Sequence, residues 1–177
     1  MVQAGFPREN RRCRVDRPVS DARWIEVEAD MEAAARHFDL AVALWRAGGF
    51  DGEGLDSYRA EMALMHAVQS AHTSLEGGLI RILLILGEER PSGSHWRADI
   101  IKRVAMPIQG ERPAIFGAEV AAAANETRKF RHRATHNYDS FEIQNVSSTI
   151  LAAEILAKRI LLEIAVFRAV IDPPAEA

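Results

Sequence analysis

The sequence predicts an all-α fold, an antiparallel bundle of four to five helices. Three observations lead there. Apolar residues recur at three- and four-residue spacing through most of the chain after residue 20. Strand-like alternation and internal repeats are absent. The Gly- and Pro-containing segments "GGFDGEGLD", "GEERPSGS" and "PIQGERP" separate the periodic runs, and connections this short join mostly antiparallel neighbours.

The first helix is expected to open at Ser20 or Asp21 as N-cap and to stop at Gly48–Gly49. Trp24, Val27, Met31, Ala34, Phe38, Ala41 and Trp45 form its apolar stripe. The second runs from about Asp56 to Leu86 and carries Tyr58, Met62, Met65, Gln69, His72, Leu75, Leu79, Ile82 and Leu86. Its end, "LIRILLIL", is apolar nearly all round, which calls for several neighbours or a subunit interface. Gly77–Gly78 cost roughly 1 kcal/mol each against alanine, a cost consistent with a close helix crossing. "SHWRADIIKRVAM" is a short third helix and "AIFGAEVAAAANETRKFRH" a fourth. Asp139 and Glu142 resemble a capping box opening the last helix. Ile143, Val146, Ile150, Ala153, Ala157, Ile160, Ile164, Phe167 and Ile171 give that helix its stripe, and Pro173–Pro174 end it.

A chain of 177 residues fits one domain with a sizeable core. Residues 20–172 form the expected helical domain. Residues 1–19 carry five arginines against Glu9 and Asp16 and read as a flexible basic tail; residues 173–177 are a short second tail. Net charge is −3, so any polyanion contact must be local. The single cysteine, Cys13, excludes a disulfide framework and fits a reducing cytoplasm. The longest apolar run, Leu83 to Leu86, is far too short to cross a bilayer.

One segment departs from this ordinary composition. "RKFRHRATHNY", Arg128 to Tyr138, holds four cations and two histidines with no acid among them. On a helical wheel Arg131, Thr135 and Tyr138 share one face, and Lys129, His132, Arg133 and His136 another. Arg131 and His136 lie about 140° apart round an unbroken helix. They converge only if the backbone breaks between them, or if a second subunit contributes. The stretch "THNYDS" is a plausible break, because Asn, Asp and Ser compete for backbone hydrogen bonds. His132 and His136 have metal-ligand spacing, but there is no obvious third ligand and the flanking arginines repel a cation, so no metal and no cofactor are expected. A solvated structural cluster is the plain alternative. The residue types also suit a phosphate: arginine holds it bidentately, and histidine moves protons near neutral pH.

"RHRATHNY", Arg131 to Tyr138, resembles the R-x4-H-x-Y signature of HepT-type toxins of the HEPN ribonuclease superfamily. "HAVQSAHTSLEGGLIRILLIL" and "SHWRADIIKRV…ERPAIF" resemble upstream segments of the same proteins, and the likeness covers about residues 20 to 171. His132 stands where the family often has asparagine, and His72 or Thr73 where an aromatic is frequent. The resemblance implies a metal-independent endoribonuclease toxin, acting as a homodimer with Arg131 and His136 catalytic in a shared cleft. His132 would assist, and Arg128, Lys129 and Arg133 would hold RNA phosphates. It also implies that a cognate nucleotidyltransferase antitoxin adds AMP to Tyr138. A non-catalytic HEPN module binding nucleotide, RNA or protein is the second function class. His37, His66, His72 and His95 read as structural, with His95 a helix cap, and Trp24, Trp45 and Trp96 read as core.

Overall fold

The computed structural model describes residues 22–52, 54–136 and 146–173. Among these residues are five helices: α1 (Ala22–Ala47), α2 (Leu55–Ile85), α3 (Trp96–Val104), α4 (Ala118–His136) and α5 (Ser147–Ile171). No strand occurs among the described residues; Ile108 and Arg112 form a single bridge. The fold is all-α. The tail at residues 1–19, the N-cap pair Ser20 and Asp21, and the Asp139–Glu142 box lie outside the described residues.

The expected stripes are the buried faces. In α1, Trp24, Val27, Met31, Ala34, Phe38 and Ala41 are buried, and Trp45 packs at the edge of the core with its ring 5.3 Å from that of Phe50. In α5, Ile150, Ala153, Ile160, Ile164 and Phe167 are buried. Each large apolar side chain so enclosed contributes about 1.5–3 kcal/mol relative to exposure. Side-chain partners give the helix directions. Arg81 near the end of α2 pairs with Glu26 and Asp30 near the start of α1, so these two are antiparallel. Arg46 of α1 meets Glu154 of α5, and Glu28 meets Arg168, so α5 also runs against α1. Glu119 pairs with Arg159, and Glu126 accepts from Ser148, which sets α4 antiparallel to α5. The short α3 packs on α2 and α4.

The glycines behave as the sequence implies. Gly48 and Gly49 end α1 with φ of 74° and 91°, a region that disfavours side chains. At Gly78 an added Cβ would lie 2.6 Å from Met31 Cε and 3.3 Å from Asp30 Cβ, so α2 and α1 approach closely there.

Four expectations are narrowed or corrected; for the first, the alternative of several neighbours within the chain holds. The apolar run at the end of α2 is absorbed inside this chain: Leu79, Ile82, Leu83 and Ile85 are buried and only Leu84 is strongly exposed. A subunit interface is not needed to explain it. Exposed apolar side chains recur instead on α5, at Leu162, Val166 and Val170, four residues apart. Second, α4 begins at Ala118, not Ala114, because the amides of Ile115 and Phe116 bond to the carbonyl of Val104 and hold that segment off the helix. Third, α4 continues through His136 where the sequence suggests an end at His132. Phe130 and Ala134 are both buried, and that i, i+4 apolar pair carries the helix one more turn. Fourth, Tyr58 is exposed and contributes nothing to the α2 stripe.

Candidate functional site

The site is organised by a carboxylate inside the bundle. Glu76 lies on α2 four residues after His72 and three before Leu79, on the buried side of the helix, and is 6% exposed. A buried carboxylate requires partners. Arg131 Nη1 of α4 donates to Glu76 Oε2 at 3.1 Å and to Oε1 at 3.3 Å. Arg97 Nε of α3 lies 3.0 Å from Oε1. His72 Nε2 lies 3.3 Å from Oε1, without the alignment of a full hydrogen bond. One side chain therefore ties α2, α3 and α4 together at the basic cluster.

The pair behind it is buried completely. His72 and Thr127 are each 0% exposed. Thr127 Oγ1 stands 3.3 Å from His72 Nδ1 and 3.0 Å from the Ala124 carbonyl oxygen. Glu76 accepts only, so the His72 nitrogen facing it is the one suited to carry a proton; Nδ1 then accepts from Thr127, whose hydroxyl proton is shared between two acceptors. Burial pushes the His72 pKa below 6.5; Glu76 works against that, and Arg131 and Arg128 reinforce it. Burial pushes Glu76 upward, but its contact with His72 and the charges of His72, Arg131 and Arg97 outweigh burial, and its pKa falls below the ordinary carboxylate value. The arrangement at neutral pH is an anionic Glu76 beside a neutral His72.

Arg97 is fixed from its other side. Its guanidinium carbon lies 4.4 Å from the centre of the Trp96 ring, and that of Arg90 lies 4.6 Å from the same ring. Trp96 is half-buried at the edge of the core and works as a stacking platform for two arginines, not as a fully enclosed core residue. His95 occupies the N-cap position of α3 but makes no side-chain capping bond, contrary to the expected cap.

Two clefts meet at Arg131. The first, about 390 Å³, lies between the start of α3 and the face of α4 and is lined by Ser94, His95, Arg97, Ala98, Arg128, Arg131 and His132. The second, about 560 Å³, runs along α2 and is lined by His66, Gln69, Ser70, Thr73, Ser74 and again Arg131. The first is cationic; the second, apart from Arg131, holds no lysine, arginine or acid.

The expected cluster is thus partly gathered. Arg128, Arg131 and His132 share the first cleft, so His132 sides with Arg131 and not with Lys129 as the helical wheel suggests. Arg128 Nε also donates to Asn125 Oδ1 at 3.0 Å. Lys129 pairs with Glu126 at 3.5 Å, and neither Lys129 nor exposed Arg133 lines either of these clefts. α4 runs without interruption through Arg131 and His136, so the backbone break that would turn these two toward one point within a chain is not there. The His136 side chain and Tyr138 lie outside what the structure describes. Among the described residues no group of three or more His, Cys, Asp or Glu could hold a metal ion, and no helix is long and apolar enough to cross a membrane.

Sequence reasoning missed Glu76, Arg97 and Thr127. The readable signal was an acid placed within the apolar stripe of α2, beside Leu75 and Leu79; a carboxylate there must be met by cations from elsewhere.

No curated protein and no solved structure matches the chain. A sequence model of the HepT-like protein family does match, over residues 63–171, from within α2 to the end of α5. That span includes Glu76, Arg97, Thr127 and Arg131, and the all-α bundle agrees with it: the chain belongs to the HepT-like family of HEPN proteins.

Proposed function

We propose that this protein is a metal-independent endoribonuclease, the toxin half of a HEPN–nucleotidyltransferase toxin–antitoxin pair, working in the cytoplasm as a homodimer. The observation that carries the reading is the Arg131 guanidinium held at the junction of two clefts by buried Glu76, with Arg97, Arg128 and His132 beside it. Fixed cations at a cleft stabilise charge developing on a phosphate more effectively than mobile ones. Arg131 binds the scissile phosphate. His136 acts as base toward the ribose 2′-hydroxyl or as acid toward the leaving 5′-oxygen. The products carry a 2′,3′-cyclic phosphate and a 5′-hydroxyl. His132 assists, and Arg128 contacts a neighbouring phosphate. Lys129 and Arg133 serve phosphates farther along the strand. Because α4 is unbroken, Arg131 of one copy works with His136 of the other. AMP placed on Tyr138 by the cognate enzyme brings an anion and a bulky group to the same region and silences the site.

The test is purified protein incubated with small RNAs, with and without EDTA. Wild type should cleave in both conditions. Arg131→Ala and His136→Ala should each lose most activity, the latter by roughly 10²–10⁴ in rate. Cleavage that needs a divalent metal, or that survives His136→Ala, overturns the assignment.

The second reading, a HEPN module that binds RNA, nucleotide or protein without cleaving, draws support from the same uninterrupted α4, which turns Arg131 and His136 apart within one chain. It predicts RNA retention without cleavage and no effect of His136→Ala on binding.

A further inference from the structure

The cleft along α2 is not used by the chemistry above, yet it opens directly onto Arg131. Its composition differs from that of the first cleft. Gln69, Ser70, Thr73 and Ser74 offer an amide and three hydroxyls. None of its α2 residues carries a fixed charge.

Several of these groups are already oriented. Thr73 Oγ1 donates to the Gln69 backbone oxygen at 2.9 Å, which leaves its lone pairs to accept. Ser70 Oγ lies 3.4 Å from His66 Nε2. Gln69 is a half-buried residue lining the cleft, and its side-chain amide has no hydrogen-bond partner among the described residues. An amide with both donor and acceptor open is suited to the edge of a planar heterocycle. A phosphate would be better served by the cationic cleft on the other side of Arg131.

We propose that the α2 cleft is a base-recognition subsite: it takes the nucleobase flanking the phosphate bound at Arg131, and Gln69 reads that base. This rests on the ribonuclease reading and adds what it lacks, a determinant of which RNA is cut. The strand crosses Arg131 with its backbone toward Arg97 and Arg128 and one flanking base turned into the α2 cleft. Single-stranded RNA is read in this way, through splayed bases hydrogen-bonded along their edges. A side-chain amide pairs with the adjacent donor and acceptor of a base edge, and the mismatched base leaves the amide unsatisfied.

The experiment uses short single-stranded RNAs with all four bases varied on each side of a single cleavable phosphate, and the same set blocked by 2′-O-methylation for binding by fluorescence anisotropy. Wild type should prefer one base at one flank by roughly tenfold or more, in cleavage and in binding. Gln69→Leu, of similar volume, should flatten that preference to within about twofold, and Gln69→Ala should do the same if leucine disturbs packing. Thermal melts verify that both variants fold. Lys158→Ala, on the distant surface of α5, should retain the preference. If RNA is cut and the preference survives in both Gln69 variants, or wild type has none, the subsite is wrong and the ribonuclease reading stands. If wild type binds the blocked RNAs with base preference and cuts none of the others, the ribonuclease reading fails and the subsite survives as a binding site. If wild type binds no RNA, both fall.

Discussion

Arg131 of α4 and Glu76 of α2 meet through a single guanidinium nitrogen, 3.1 and 3.3 Å from the two carboxylate oxygens, and Glu76 is the more deeply buried partner. The asymmetry decides what each substitution should do. Glu76→Gln keeps the volume but leaves Arg97 and Arg131 beside a neutral amide. It should lower stability by about 2–3 kcal/mol, less than a fully buried pair would lose because both arginines reach solvent. Arg131→Ala leaves Glu76 with Arg97 and His72 and should cost less, about 1–2 kcal/mol. Both should abolish most RNA cleavage. Urea denaturation beside the cleavage assay checks the order; equal destabilisation would mean that Glu76 does not organise the site.

The buried His72 makes stability acid-sensitive. Its folded pKa lies below its ordinary 6.5, so below that pH the unfolded chain takes up a proton that the folded chain refuses. Stability is therefore full above about pH 6.5 and declines as pH falls toward the folded value, by at most about 1.4 kcal/mol per pH unit for one proton. Glu76, whose folded pKa is lowered, adds a second loss in the same direction once pH falls below its ordinary 4.5. His72→Gln should flatten the first decline and weaken the second, because His72 contributes the largest effects that lower the Glu76 pKa. Denaturation midpoints from pH 7.5 to 4 are the measurement; an unchanged slope between 6.5 and 5 would remove His72 from the account.

At the crossing of α1 and α2, Gly78→Val should be destabilising by about 1–3 kcal/mol, since Met31 is fully buried and its methyl group must move. Shortening Met31 to alanine should recover part of that cost. A double-mutant cycle with no coupling would contradict the contact.

Arg112 is 6% exposed and serves the segment after α3. It pairs with Glu88 and donates to the carbonyls of Met106 at 2.9 Å and Pro113 at 3.1 Å. Arg112→Ala should cost about 3 kcal/mol and release this segment, read as faster amide exchange at residues 106–116. Arg112→Lys should not restore the loss, because an ammonium cannot span the same acceptors.

The helices were legible because their signal is local. Trp24 through Ala41, and Ile150 through Phe167, reveal their burial in their own spacing. The basic cluster was legible too, as a run of cations without acids. Its arrangement was not. Arg131 finds Glu76 fifty-five residues away, a pairing no local pattern encodes. The extra turn of α4 past His132 is not local either: it goes with the burial of Phe130 and Ala134 against the rest of the bundle, while Asn137 to Ser140 lie outside the described residues. Trp96 packs at the edge of the core as its type implies, but the stacking of Arg90 and Arg97 on its ring is not encoded in any spacing.

The clamp at Glu76 also bears on the order of events during synthesis. Glu76 emerges from the ribosome with α2, when the antiparallel α1–α2 hairpin can already close on itself. Arg97 follows after about twenty residues and Arg131 only after fifty-five. Through that interval the carboxylate remains hydrated and the cationic cleft, whose wall is α4, has no existence. A chain stalled before α4 carries Glu76 and Arg97 but lacks Arg128, Arg131 and His132, which form the α4 side of the first cleft. Assembly of this site therefore waits for α4, and a product truncated before that helix would lack the Arg131 side chain that lines both clefts.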